Sequence, residues 1–234
     1  MTKWKLPHIT KPINIIVGGY GSGKSEVSVN LARTLVLDQD FKNRPISILD
    51  LDIVNPYFRS REASVELEKL GIEAINPEGS EYYADLPIIL PQIKGVIQNA
   101  QGTVICDVGG DDVGARVLSS LETSFHRKSY DMFLVLNANR PFTSSVASTQ
   151  KLIGEIESSS RLRFSGIISN SHLMDYTTAD TIIDGIKLSE AVSKEINLPI
   201  TCICAETKIL DLMTKNKIKY PVLPLNRSLL KPWE

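Results

Sequence analysis

The chain has 234 residues, and 26 Lys plus Arg against 27 Asp plus Glu leave a net charge of −1, which gives no support to a general polyanion binder. Three cysteines are too sparse and odd in number for a disulfide framework, and no apolar run approaches the ~18 residues of a membrane span. The basic start has no apolar run behind it, so no signal peptide is expected. The expectation is one soluble, cytoplasmic domain over 1–234, with no membrane partner.

Short apolar runs alternate with segments of helical period. Strands are expected at 13–17, 46–51, 72–75, 103–106, 132–137, 166–169 and 200–204. Helices are expected at 24–37, 59–70, 86–99, 115–125, 144–158, 179–196 and 207–215, with Gly71 as a C-terminal stop. Continuous apolar strands such as Phe133-Leu-Val-Leu136 indicate burial on both faces. The fold class is therefore α/β, a three-layer sandwich around a mostly parallel sheet of about seven or eight strands. The stretch 76–85 reads as the longest loop, with Tyr82-Tyr83 as packed residues or a partner surface, and the tail from Pro221 reads as an extended edge piece.

The strongest motif is Gly18-Gly-Tyr-Gly-Ser-Gly23-Lys24-Ser25, a full G-x-x-x-x-G-K-[ST] between an apolar strand and a helical segment. Glycines let backbone N–H groups turn inward around phosphate oxygens, and the helix start adds its dipole. The binding set is Gly19, Gly21, Ser22, Gly23, Lys24, Ser25 and Glu26. Lys24 would neutralise the terminal phosphates and the Ser25 hydroxyl would ligate Mg²⁺.

Two acidic sites sit at strand ends. Asp107-Val-Gly-Gly110 supplies a metal-side carboxylate, Asp107, and a glycine, Gly110, whose N–H can sense a γ-phosphate. Asp112 reads as the N-cap of the next helix, with Asp111 beside it. Asp50-Leu-Asp52 alternates by two, so both carboxylates leave the strand on one face. One would support Mg²⁺ and the other orient an attacking water. Asn55-Pro56 reads as an ordered turn; Arg59 and Arg61 either pair with phosphate or decorate the next helix.

These motifs resemble the P-loop NTPases of the SIMIBI class, on the branch of MinD, ParA, CobQ/CobB-type and CooC-like ATPases. The resemblance implies that Asp52 assists the attacking water and that Asp107 is the metal-side carboxylate; Asp50 is then the carboxylate of the pair left to support Mg²⁺, with Ser25. It also implies ATP-dependent homodimerisation with two phosphate loops face to face. One departure is clear: Gly19 stands where that branch carries an extra lysine that reaches the partner's phosphates. Slow hydrolysis is the expected consequence.

GTPases of related design read guanine with [NT]-K-x-D, and here the matching strand end is Asn170-Ser-His172-Leu, without that Lys and Asp. Asn170 is either an adenine reader, by two hydrogen bonds to the N6/N7 edge, or an Asn in a strand-end turn. ATP with Mg²⁺ is the expected cofactor. Ala205 and Glu206 would form the other wall, and His172 reads as a loop residue. Arg140, before Pro141, either contacts nucleotide or partner or begins a loop. Cys202-Ile-Cys204 is either a thiolate pair or two buried small residues on one strand face; Cys106 reads as core.

The leading function is a Mg²⁺-dependent ATPase switch acting on a protein client, such as a metalloenzyme under maturation. The alternatives are an ATP-dependent ligase or kinase of the dethiobiotin-synthetase type, and a nucleotide-gated module with negligible hydrolysis. Nucleic acid is not an expected partner: Lys208, Lys215, Lys217 and Lys219 form only a modest cluster. The C-terminal sequence lacks a basic amphipathic helix for membrane targeting.

Overall fold

The computed structural model describes residues 4–38, 44–52, 64–75, 86–110, 112–213 and 218–227. Arg59, Arg61, Asn55-Pro56, Tyr82-Tyr83, Asp111, Lys215 and Lys217 lie outside the described residues. The strands are β1 (Ile13–Val17), β2 (Ile46–Leu51), β3 (Ile72–Ile75), β4 (Thr103–Val108), β5 (Tyr130–Leu136), β6 (Gly166–Ser169), β7 (Ile200–Glu206) and β8 (Val222–Leu225). The helices are α1 (Lys24–Leu37), α2 (Ser64–Lys69), α3 (Leu86–Asn99), α4 (Asp112–Lys128), α5 (Val146–Ser160), α6 (Ala179–Ile196) and the short α7 (Thr207–Leu210).

The eight strands form one sheet in the order β3-β2-β4-β1-β5-β6-β7-β8, every pair parallel. The apolar runs of β1, β2 and β4 are buried throughout, because helices cover both faces. On one face, Val27, Leu31 and Leu35 of α1 and Leu67 of α2 pack on Ile16, Ile48, Ile105 and Val135. On the other, Ile93 and Ile97 of α3, Leu121 and Phe125 of α4 and Leu152 of α5 pack on Ile15, Leu49, Cys106 and Leu134. This is the three-layer α/β fold of P-loop NTPases. Each large side chain buried this way contributes about 1.5–3 kcal/mol. That anchors α1, and with it the loop that precedes α1.

Several boundaries differ from the sequence-based expectation. β4 runs past Cys106 to Val108, so Asp107 is inside the strand and not at its end. A polar residue can stay in a buried strand when its side chain faces a site rather than packed hydrocarbon. Helix α5 begins two residues later than expected, because Pro141–Thr143 forms a 3-10 turn and Ser145 caps the helix. Asp112 is the first residue of α4 rather than its cap. Helix α7 stops at Leu210, where Leu212 and Met213 bond back three residues and tighten the turn. Of the segment expected at 59–70, the helix described is Ser64–Lys69, and Gly71 ends it with φ 77° and an N–H bonded to Glu68 O. The expected edge piece after Pro221 is β8, on β7. Among the described residues no helix is long and apolar enough to cross a membrane.

Candidate functional site

The strand order brings three motif-bearing strand ends together: β2, β4 and β1 are adjacent, and their carboxyl ends carry Asp50-Leu-Asp52, Asp107–Gly110 and Gly18–Ser25. Asp50 and Asp107 are register partners on β2 and β4, and Ile16 is partnered with Asp107 on β1. Both carboxylates are on the face covered by α1, whose first residues are Lys24 and Ser25.

The loop has the backbone that its glycines permit. Gly21 and Gly23 have φ of 71° and 87°, in the left-handed region that favours glycine. Helix α1 starts on Gly23 with no side-chain cap, whereas α5 and α6 carry full capping boxes, Ser145/Ser148 and Thr178/Thr181. The first N–H groups of α1 are thus left for a ligand rather than for its own cap.

The surroundings hold the loop closely. Gly110 lies against it: a Cβ there would stand 2.7 Å from Gly18 O and 2.9 Å from Lys24 Nζ. The Lys24 ammonium donates to Gly19 O at 3.2 Å. From the outer side, Arg140 Nε donates to Gly21 O at 2.9 Å and Asn170 Nδ2 donates to Ser22 O at 2.8 Å. Phe142 packs on Gly19. Ser22 itself is buried, and among the described residues its hydroxyl has no hydrogen-bond partner.

Asp107 is fully buried, and among the described residues neither carboxylate oxygen has a hydrogen-bond partner of good geometry. Burial first, then the Asp50 carboxylate, push its pKa well above the usual carboxylate range. The Lys24 ammonium pulls in the opposite direction, as does the nearby Ser25 hydroxyl, which favours the anion without completing a bond. Native structures rarely leave a buried carboxylate in this condition without a cation or donor to complete it. Oxygen donors of this kind, one carboxylate and one hydroxyl at the mouth of a phosphate loop, suit Mg²⁺ shared with phosphates. The residues present therefore fit the expected metal. Asp50 is 2 % exposed and its Oδ1 accepts from Asp52 N–H at 3.0 Å; the Asp52 side chain is half-buried.

The second wall is formed by the ends of β6 and β7 and the segment after β8. His172 lies beside Gly23, its ring nitrogen 3.3 Å from where a Cβ would stand. Burial and the Arg140 and Arg227 guanidinium groups lower its pKa to about 4. Arg227 bridges Asp175 and Glu206, each at 2.9 Å. Glu26 is turned along α1, accepting from Asn30 Nδ2 at 2.9 Å.

The described candidates thus fall into one region: Gly19, Gly21, Ser22, Gly23, Lys24 and Ser25 in the loop, with Asp50, Asp52, Asp107 and Gly110 beside it and Asn170 behind it. Sequence reading missed how Arg140 and His172 meet the loop. Their signal was position after β5 and β6, and that β5 sits beside β1 and β6 beside β5 is not written in the chain locally. Cys202 and Cys204 are buried on the α1 face and Cys106 on the other, all as free thiols. Among the described residues no cluster of three His, Cys, Asp or Glu could hold a metal ion on its own. Lys208 and Lys219 are paired with Glu206 and Glu190 at 2.8 and 2.9 Å.

No protein-family model matches the chain, and no curated protein matches it. Solved structures do. Cell division protein FtsY from Thermotoga maritima aligns with TM-score 0.54 at 19 % identity over 87 % of this chain and 65 % of FtsY. The signal recognition particle 54 kDa protein from Aeropyrum pernix K1, solved in complex with GDP, aligns with TM-score 0.52 at 20 % identity over 84 % of this chain and 42 % of its own. MinD cell division protein from Aquifex aeolicus aligns with TM-score 0.51 at 15 % identity over 86 % and 85 %. The chain thus spans a little under two thirds of the length of the FtsY structure. All three are P-loop proteins of the SIMIBI class, and what this chain shares with them at such identities is the fold.

Proposed function

We propose that the chain is a Mg²⁺-dependent purine-nucleotide-binding P-loop NTPase, with ATP as the favoured nucleotide. In this reading it is a slow ATPase that closes into a homodimer on nucleotide and so switches a protein client. The observation that carries it is the buried Asp107 carboxylate, which among the described residues has no hydrogen-bond partner of good geometry, beside Ser25 and Lys24 at the mouth of an uncapped helix.

The chain's own residues have distinct tasks. The amides of Gly19–Ser25 and the Lys24 ammonium bind the polyphosphate, and Gly110 lies close enough to report the terminal phosphate to the segment after β4. Ser25 and Asp107, supported by Asp50, would hold Mg²⁺, which when bound offsets phosphate charge. Asp52 orients the attacking water. Asn170, whose amide reaches the loop at Ser22, contributes to the base edge. The client and dimer reading is supported by exposed aromatic side chains at the loop, Tyr20 at 78 % and Phe142 at 54 %.

Sizing with a non-hydrolysable ATP analogue and Mg²⁺ tests this reading. A dimer with analogue and a monomer without it are expected, and Asp52→Ala should lower hydrolysis by about 10²-fold. Strong stimulation of ADP release by a small metabolite would reject the switch in favour of a ligase or kinase. Unaltered hydrolysis in Asp52→Ala would remove Asp52 from catalysis.

A further inference from the structure

We propose that Arg140 is a positioning residue of the nucleotide site: from the end of β5 its guanidinium holds the Gly21 carbonyl outward, so that the loop amides converge on the polyphosphate. The proposal rests on the nucleotide-binding reading above and adds a part that no motif in the chain announces.

The geometry is specific. Arg140 Nε donates to Gly21 O at 2.9 Å, a charge-assisted bond to the residue with φ 71° at the turn of the loop. The guanidinium lies against that residue, its Cζ and Nε each 3.0 Å from the point where a Gly21 Cβ would stand. The next carbonyl, Ser22 O, is held at 2.8 Å by Asn170 from the end of β6. Two consecutive carbonyls are therefore pinned from two neighbouring strand ends. The amide between them, Ser22 N–H, donates to Gly19 O at 3.2 Å and closes the turn, so with both carbonyls held outward the amides that follow, from Gly23 to Ser25, are presented on the inner, phosphate side.

Arg140 is itself firmly placed. Its N–H donates to Asn137 O at 3.0 Å, and its carbonyl accepts from Thr143 N–H at 3.0 Å. Thr143 Oγ1 donates to Asn137 O at 2.7 Å and Asn139 N–H to Asn137 Oδ1 at 3.0 Å, which locks the turn. Among the described residues no ion pair joins Arg140 to a carboxylate, and the polar contact of its guanidinium is the Gly21 carbonyl.

The test is calorimetric titration of MgATP, MgGTP and magnesium tripolyphosphate into wild type, Arg140→Gln and Arg140→Lys. A residue acting through the loop affects all ligands that carry the polyphosphate. Arg140→Gln should weaken nucleotide and tripolyphosphate by the same factor, about 10- to 100-fold, with Arg140→Lys losing less. Equal affinity in wild type and Arg140→Gln would overturn the proposal. So would a loss confined to nucleotides, which would assign Arg140 to the base. If wild type binds none of the three, the nucleotide reading itself falls, and Arg140's role with it. Should Arg140→Gln fail to fold, Arg140→Lys carries the test: its Ser22 amide resonance in the free protein should shift, and an unmoved resonance with unaltered affinity would contradict the brace.

Discussion

Asp50 and Asp107 stand opposite one another in register on β2 and β4, both buried and both on the face that α1 covers. Burial opposes the ionisation of Asp107, and the Asp50 carboxylate opposes it further. A raised Asp107 pKa favours the folded state only while the group is protonated. That contribution is present below the ordinary carboxylate value and is lost as pH rises through the folded value, so an ionised Asp107 strains the free protein here. Asp107→Asn is therefore expected to stabilise the free protein by about 1–2 kcal/mol while removing the effect of Mg²⁺ on nucleotide binding. Thermal melts with and without Mg²⁺-nucleotide check both halves. A destabilised variant that still responds to Mg²⁺ would contradict the assignment.

Gly110 has no room for a side chain. The Cβ of Gly110→Ala would press on Gly18 O and on the Lys24 ammonium, at 2.7 and 2.9 Å. The loop must shift to admit it, a strain of about 1–3 kcal/mol, so nucleotide affinity should fall about 10- to 100-fold. Titration of the purified variant measures this directly, and wild-type affinity would show that the contact between the two motifs is incidental.

His172 gives a pH signature. Its folded pKa is lowered to about 4 by burial and then by Arg140 and Arg227, with Glu206 opposing. Between that value and the ordinary imidazole value the unfolded chain binds more protons, so stability falls as pH falls through this window. His172 should contribute a loss of about 2 kcal/mol between pH 7 and pH 5, seen as the difference in pH dependence between wild type and His172→Gln. Urea melts at the two pH values check it. Identical pH dependence in the two proteins would mean that the imidazole titrates normally.

Much of this was legible in the chain. The phosphate loop announced itself because left-handed turns at Gly21 and Gly23 need glycine. The ends of β1, β2 and β6 were readable because the chain passes there to the turn and polar residues Gly18, Asp52 and Asn170. The same criterion ended β4 early at Cys106, since it cannot distinguish a polar residue leaving a strand from Asp107, which stays in the strand and faces the site. The contacts of Arg140 and His172 were not legible, because they depend on β5 and β6 lying in sequence beside β1, and strand order is a tertiary fact. The shift of α5 by two residues reflects a competition that period alone does not resolve: the Pro141–Thr143 turn and the Ser145 cap take residues that a helical pattern would also accept.

The most direct measurement is calorimetric titration of MgATP and MgGTP into wild type and Lys24→Ala. Saturable heat with at least one of the two nucleotides is expected for wild type. Removing the ammonium that lies between Gly19 O and the Gly110 backbone should weaken binding about 100-fold. No heat from folded wild type with either nucleotide, or a Lys24→Ala variant that binds as tightly as wild type, would contradict the account.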